Sequence, residues 1–201
     1  MKTTTVAFLM ALPALFACQT DTTLSTSPIT DDMPMEELME NYMELAKPGE
    51  FHAKLTPFIG DWSFETRMRM APDAPWTNST GTMSSKWVLG GRYMLSSYSS
   101  ESAEIGAFEG LGLVGYDNAK QRYVSTWIDT WGTMIPPAGE GDMEGNVLTM
   151  ENEMVNPVTG RTERWREVTT LVDANHYSFE MYAPGPDGEL YRNLEIQYTR
   201  R

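Results

Sequence analysis

"GLGLVGYDNAKQRYVSTWIDTWGT", residues 110–133, is the stretch whose reading decides the fold. Two runs rich in β-branched and aromatic residues flank Asp117-Asn118, a strong turn signal. In the second run Tyr123, Ser125, Trp127, Asp129 and Trp131 fall on one parity. A period of two predicts an antiparallel hairpin. The same period sets a carboxylate, Asp129, between two tryptophans.

Working outward, the period of two starts at Gly60. Trp62, Phe64, Thr66, Met68 and Met70 share a face, against Ser63, Glu65, Arg67 and Arg69. Turn chemistry recurs at Gly90-Gly91, Gly139 to Gly145, Asn156 to Gly160 and Pro184 to Gly188. Between the turns we read about ten strands, near 60–70, 79–89, 92–100, 107–116, 121–130, 132–142, 146–153, 161–172, 176–182 and 190–199. Short connections imply antiparallel neighbours. The fold class is therefore all-β: an antiparallel up-and-down barrel, which leaves no unpaired edge, preceded by one N-terminal helix.

That helix is read over 33–50. Asp32 is its candidate cap and Pro34 suits its first turn. Met35, Leu38, Met39, Tyr42, Met43 and Leu45 recur at helical spacing, and Pro48-Gly49 ends it. It plugs or flanks the domain, or offers a Met-rich face to a partner. Residues 18–32 are Thr/Ser/Asp-rich and read as a disordered tether. Residues 1–17 carry one early cation, Lys2, and an apolar run from Val6 to Phe16, too short to span a bilayer. Leu15-Phe16-Ala17-Cys18 resembles a bacterial lipobox, with Cys18 as the lipidation site. Gln19 in the next position implies transfer to the outer membrane, facing the periplasm. The barrel domain is assigned to 51–201.

Composition excludes several partners. The net charge is −13. Such a surface repels phosphates, so no nucleic acid is expected, and it gives no electrostatic grip on anionic lipid. Contact with a membrane would come through the lipid anchor only. Cys18 is the single cysteine, so no intrachain disulfide forms.

Leu194, Ile196, Tyr198 and Arg200 share the inward face of the last strand, as Tyr177, Phe179 and Met181 do in the strand before. Gly60-Asp61-Trp62 and the late Arg200 resemble the calycin signature, in which the tryptophan closes one end and the arginine packs across it. "LGGRYM" (89–94), "GLVGYDNAKQRYVSTWIDTWGT" (112–133), "PVTGR" (157–161) and "EIQYTR" (195–200) further resemble the bacterial domain-of-unknown-function family 1579, over about 52–200. The resemblance implies a lipocalin-like barrel with Trp62 and Arg200 as closure residues. It implies no activity.

His52 and His176 are the two histidines, without metal-ligand spacing, so no metal is expected. Some similar barrels hold haem through one histidine. His176 is the candidate for that role, but its parity opposes Tyr177, Phe179 and Met181, and no cofactor is expected. No Gly-x-Ser-x-Gly elbow is present, so no catalytic residue is assigned. Asp129 is open to three roles: structural, paired with Arg92 after the Gly-Gly turn or with backbone N–H groups; ligand-contacting; or acid/base, since an apolar setting raises a carboxyl pKa. The candidate ligand-binding set is Trp87, Arg92, Tyr123, Trp127, Asp129 and Trp165, because a ten-stranded barrel is hard to fill with side chains alone.

Three functional readings follow. The first is an envelope lipoprotein whose barrel binds a small apolar ligand. The second is an enzyme using Asp129. The third is a filled barrel serving as a structural or interaction module. Protein partners are not readable from the residues.

Overall fold

A computed structural model describes residues 33–102 and 106–201. The lipobox, Cys18 and the tether lie outside the described residues. The chain divides into two compact units, 1–40 and 41–201. Helix α1 (Met35–Leu45) crosses that division, and none of its residues is buried. Its last turn ends where Ala46 N–H donates to Tyr42 O and Pro48-Gly49 stop the helical pattern. The helix is shorter than the span read from the sequence.

The second unit is a closed barrel of ten antiparallel strands in up-and-down order. They are β1 (Gly60–Met68), β2 (Thr77–Val88), β3 (Tyr93–Ser102), β4 (Gly106–Asp117), β5 (Arg122–Asp129), β6 (Gly139–Glu144), β7 (Val147–Val155), β8 (Thr162–Leu171), β9 (His176–Pro184) and β10 (Leu190–Arg200). β1 closes on β10 with Trp62 opposite Arg200 and Phe64 opposite Tyr198. One expected strand is much shorter than 132–142. Residues 130–138 form a loop, because Pro136 and Pro137 have no N–H to give a ladder. Pairing of β6 with β5 therefore covers only Tyr123–Gly141 to Ser125–Gly139.

One end of the barrel is plugged. A short helix, α2 (Glu50–Ala53), and a 3-10 turn at Thr56–Phe58 cross it, burying His52, Leu55 and Phe58. These residues, which the sequence reading places in the barrel domain, supply the plug. Tyr123 donates its hydroxyl to Phe51 O at 2.9 Å, and Phe51 stacks on Tyr116. Trp62 is fully buried and donates Nε1–H to Phe58 O at 3.1 Å. The Arg200 guanidinium lies 4.1 Å from the Trp62 ring centre. It donates to Ile59 O, Pro57 O and Ala174 O, so its charge is met by carbonyls of the plug and of the neighbouring turn. Burying such an aromatic cluster contributes about 1.5–3 kcal/mol per large side chain.

The inward faces of the strands differ along the barrel axis. Next to the plug, Trp62, Phe64, Met83, Met94, Leu148, Met150, Tyr177 and Tyr198 are buried and form one cluster. Towards the other end, inward-facing Thr66, Ser100, Phe108, Trp127, Trp165, Glu167, Phe179 and Ile196 all keep accessible surface. The fully buried residues thus gather at the base of the barrel, and the half above it, where inward side chains are only partly buried, is here called the cup.

Candidate functional site

The cup wall is built first by β4 and β5. Gly110 faces Asp129 and Gly112 faces Trp127 across the ladder. A Cβ on Gly110 would lie 2.3 Å from the Trp127 ring, and one on Gly112 would touch it at 3.4 Å. The two glycines are therefore a bed on which the indole lies flat against the sheet. Asp129 holds it there, accepting Trp127 Nε1–H at 2.7 Å on one oxygen and Trp131 N–H at 2.8 Å on the other. A carboxylate sits between two tryptophans because it ties one to the wall and turns the chain at the other. The Trp127 indole also meets Tyr98 edge-on at 5.0 Å.

The opposite wall carries a second carboxyl. Glu167 of β8 faces inward between Trp165 and Thr169, and Asn152 Nδ2–H donates to it at 2.8 Å. Asn152 fits because β6 offers Gly139, where a Cβ would overlap its side-chain oxygen. Protein surrounds Glu167, yet it keeps some accessible surface, as a side chain on the wall of a cup does. Burial pushes its pKa up to about 7, against the bond from Asn152. Burial likewise raises Tyr98 to about 12, with the Glu167 charge adding to the effect and the Tyr198 hydrogen bond opposing it. Tyr198 donates to the Tyr98 hydroxyl at 3.4 Å. The indole N–H of Trp165 is buried without an acceptor. Glu163, one inward position nearer the mouth, accepts Asn156 Nδ2–H at 2.9 Å.

The six candidate ligand-binding residues fall into two groups. Trp127, Asp129 and Trp165 stand on the cup wall. Tyr123 is buried against the plug, Trp87 packs on the base cluster, and Arg92 sits on the turn at that end, donating to Leu89 O at 3.1 Å. The expected Arg92–Asp129 pair is a correction. Tyr93 pairs with Gly115, and Tyr116 with Tyr123, so Arg92 lies level with the start of β5. Asp129 is six residues further along that strand, roughly 20 Å away. The other expected kind of partner, a backbone N–H near Gly132-Thr133, is present as Trp131 N–H, and the Trp127 indole N–H is the partner that was not expected.

Glu167, Asn152 and Tyr98 were missed. "TERWREVTTL" (162–171) places charges on both parities, which hides the inward one. The available signal was that Glu163 and Glu167 share a parity with Trp165.

The histidines lie at the plugged end. His52 is buried and its Nδ1 accepts Gly49 N–H. Burial holds its pKa below the usual value, a backbone hydrogen bond at Tyr116 opposes this, and the Arg92 charge lowers it further. His176 is exposed and pairs with Asp173 at 2.9 Å. Among the described residues no three His, Cys, Asp or Glu side chains converge on a metal-sized site. A separate groove of about 670 Å³ runs along the outside of β2–β5, lined by Ser84, Ser97, Glu109, Leu111 and Ile128 below the 130–135 loop. Most of its walls are outward-facing side chains, and Tyr98, Gly110 and Asp129 of the barrel wall also border it.

The chain belongs to the family described as protein of unknown function (DUF1579), whose model matches residues 47–200. No curated protein matches it in sequence. Among solved structures it is similar to Rv2717c from M. tuberculosis, with 14% identity and a TM-score of 0.56, covering 77% of this chain and 99% of that one. It is also similar to the S-type phycobiliprotein lyase CPES from Guillardia theta, with 11% identity and a TM-score of 0.53, covering 76% and 91%. At such identities the likeness is one of fold.

Proposed function

We propose that the barrel binds a small, mainly apolar molecule in the cup. The observation that carries this reading is the contrast along the axis. The fully buried side chains gather at the base, while inward Thr66, Ser100, Phe108, Trp127, Trp165 and Glu167 above it are only partly buried. Concave, mostly apolar sites with a few placed polar groups are the usual form of small-molecule sites. Here the polar groups are Glu167 with Asn152, and the Tyr98–Tyr198 hydroxyls. Asp129 has both oxygens occupied by Trp127 and Trp131, which supports a structural role over an acid/base one.

The test is fluorescence titration with N-phenyl-1-naphthylamine, a neutral apolar probe. One molecule should bind per chain and quench tryptophan emission, and Trp127→Leu should remove part of that quenching. Absence of saturable binding would leave the filled-barrel module as the reading.

We further propose that the protein is held at the cell envelope, facing the periplasm, by lipid on Cys18. The support is the apolar run that ends at this cysteine. Cys18→Ala should abolish palmitate labelling in cells; a variant that still labels overturns the assignment.

A further inference from the structure

We propose that the cup selects organic cations: apolar molecules with an amine head, in preference to neutral or acidic molecules of the same body. The inference rests on the cup being a binding site and concerns which head group it takes.

Three carboxyl-bearing residues occupy inward positions in the open half, namely Asp129, Glu163 and Glu167. Among the described residues no Lys or Arg takes an inward position there. The nearest inward cation below, Arg200, is committed to three carbonyls of the base. The nearest at the mouth, Arg69, donates to Arg192 O and Pro72 O and lies over Trp76. Asp129 is used by Trp127 and Trp131, and Glu163 by Asn156. Glu167 has a single neutral partner, Asn152, and faces the cup without a counter-ion.

The rest of the wall suits a cation. Trp127, Trp165, Tyr98, Phe108 and Phe179 are inward-facing rings with accessible surface. Ring faces attract ammonium groups, and more strongly where water is excluded. A carboxylate among aromatic faces is a site for a protonated amine. An acidic head would instead meet three acidic side chains and no base.

Besides the inward carboxyls Asp129 and Glu163, the titratable groups on the inward face with Glu167 include tyrosines, and burial raises the pKa of Tyr98, Tyr177 and Tyr198. These tyrosines stay neutral near neutral pH. Glu167 is pushed to about 7, so its ionised form is about 30-fold scarcer near pH 5.5 than near pH 8. Amine binding should weaken as pH falls through this window, towards that of an uncharged analogue, because the head loses its counter-charge.

The experiment is calorimetric titration of the purified chain with three ligands of one body: 1-naphthylmethylamine, 1-naphthylmethanol and 1-naphthylacetate. Near pH 8 the amine should bind about tenfold or more tighter than the alcohol, with the carboxylate weakest. Glu167→Gln should bring the amine to the level of the alcohol, the ratio of the two affinities in the same variant being the readout. An alcohol that binds while the amine is no tighter overturns the inference and leaves the cup as a site. A preference that survives Glu167→Gln also overturns it. Failure of all three to bind overturns the binding reading as well.

Discussion

Glu167→Gln should stabilise the protein at alkaline pH and change little at acid pH. The ordinary carboxyl value is 4.5 and the folded one is raised to about 7 by burial. Below 4.5 the group is protonated in both folded and unfolded chains and contributes nothing. Between the two values the folded chain holds a proton the unfolded chain has lost, so stability falls as pH rises. Above about 7 the cost is complete. The interval is 7 − 4.5 = 2.5, and each pH unit in it is worth ~1.4 kcal/mol, which gives a ceiling of about 3 kcal/mol. Gln carries no charge to desolvate and keeps an acceptor for Asn152 Nδ2–H, so it escapes this cost. Urea unfolding of both proteins should show a stability difference near zero at about pH 4 that grows by about 2–3 kcal/mol at about pH 8. The other carboxylates cancel in the difference. A gap that stays constant with pH, or a variant weaker than the parent near pH 8, would refute a desolvated Glu167.

Trp62→Ala should cost about 3–5 kcal/mol, since it empties a fully buried site and strands the Phe58 carbonyl; denaturant melts measure it. Gly110→Ala should destabilise by about 1–3 kcal/mol, because its methyl would enter the space of the Trp127 ring, and should shift that tryptophan's emission. Asp129→Asn leaves one oxygen for two donors, so one of Trp127 Nε1 and Trp131 N–H loses its partner at about 1–2 kcal/mol; unchanged stability and emission would place Asp129 outside the Trp127 support.

The barrel was legible because each strand alternates between a wet and a packed face, and ten alternations with short turns leave few topologies. Gly60-Asp61-Trp62 and Arg200 sit on facing strands because β1 and β10 are the chain's two free edges and must meet. The plug was not legible. "EFHAKLTPF" (50–58) is too short for a helical period to stand out, and its burial depends on the barrel base it covers. The inward face of Trp127, Asp129 and Trp165 was readable from parity alone. The pairing of Asp129 was not, because parity says which face a residue takes and not how far along the axis it lies. Arg92 and Asp129 share an interior but stand at opposite ends of it. Glu167 escaped because a charged side chain reads as solvent-facing unless its neighbours on the same parity are weighed.

The seam between β1 and β10 has a kinetic meaning. Every other pair of hydrogen-bonded strands is adjacent in sequence, so nine hairpins can form from local contacts. The seam joins residues as far apart as Ser63 and Thr199, 136 positions along the chain. Loop closure of that length is the slowest contact to gain. The ring should therefore zip strand by strand and latch last, where Trp62, Arg200 and the plug converge. A latch formed after the rate-limiting barrier governs how fast the ring opens rather than how fast it assembles. Stopped-flow chevrons of Trp62→Ala should show a steep rise in the unfolding rate with little change in refolding, making this corner the clasp that sets the lifetime of the closed barrel.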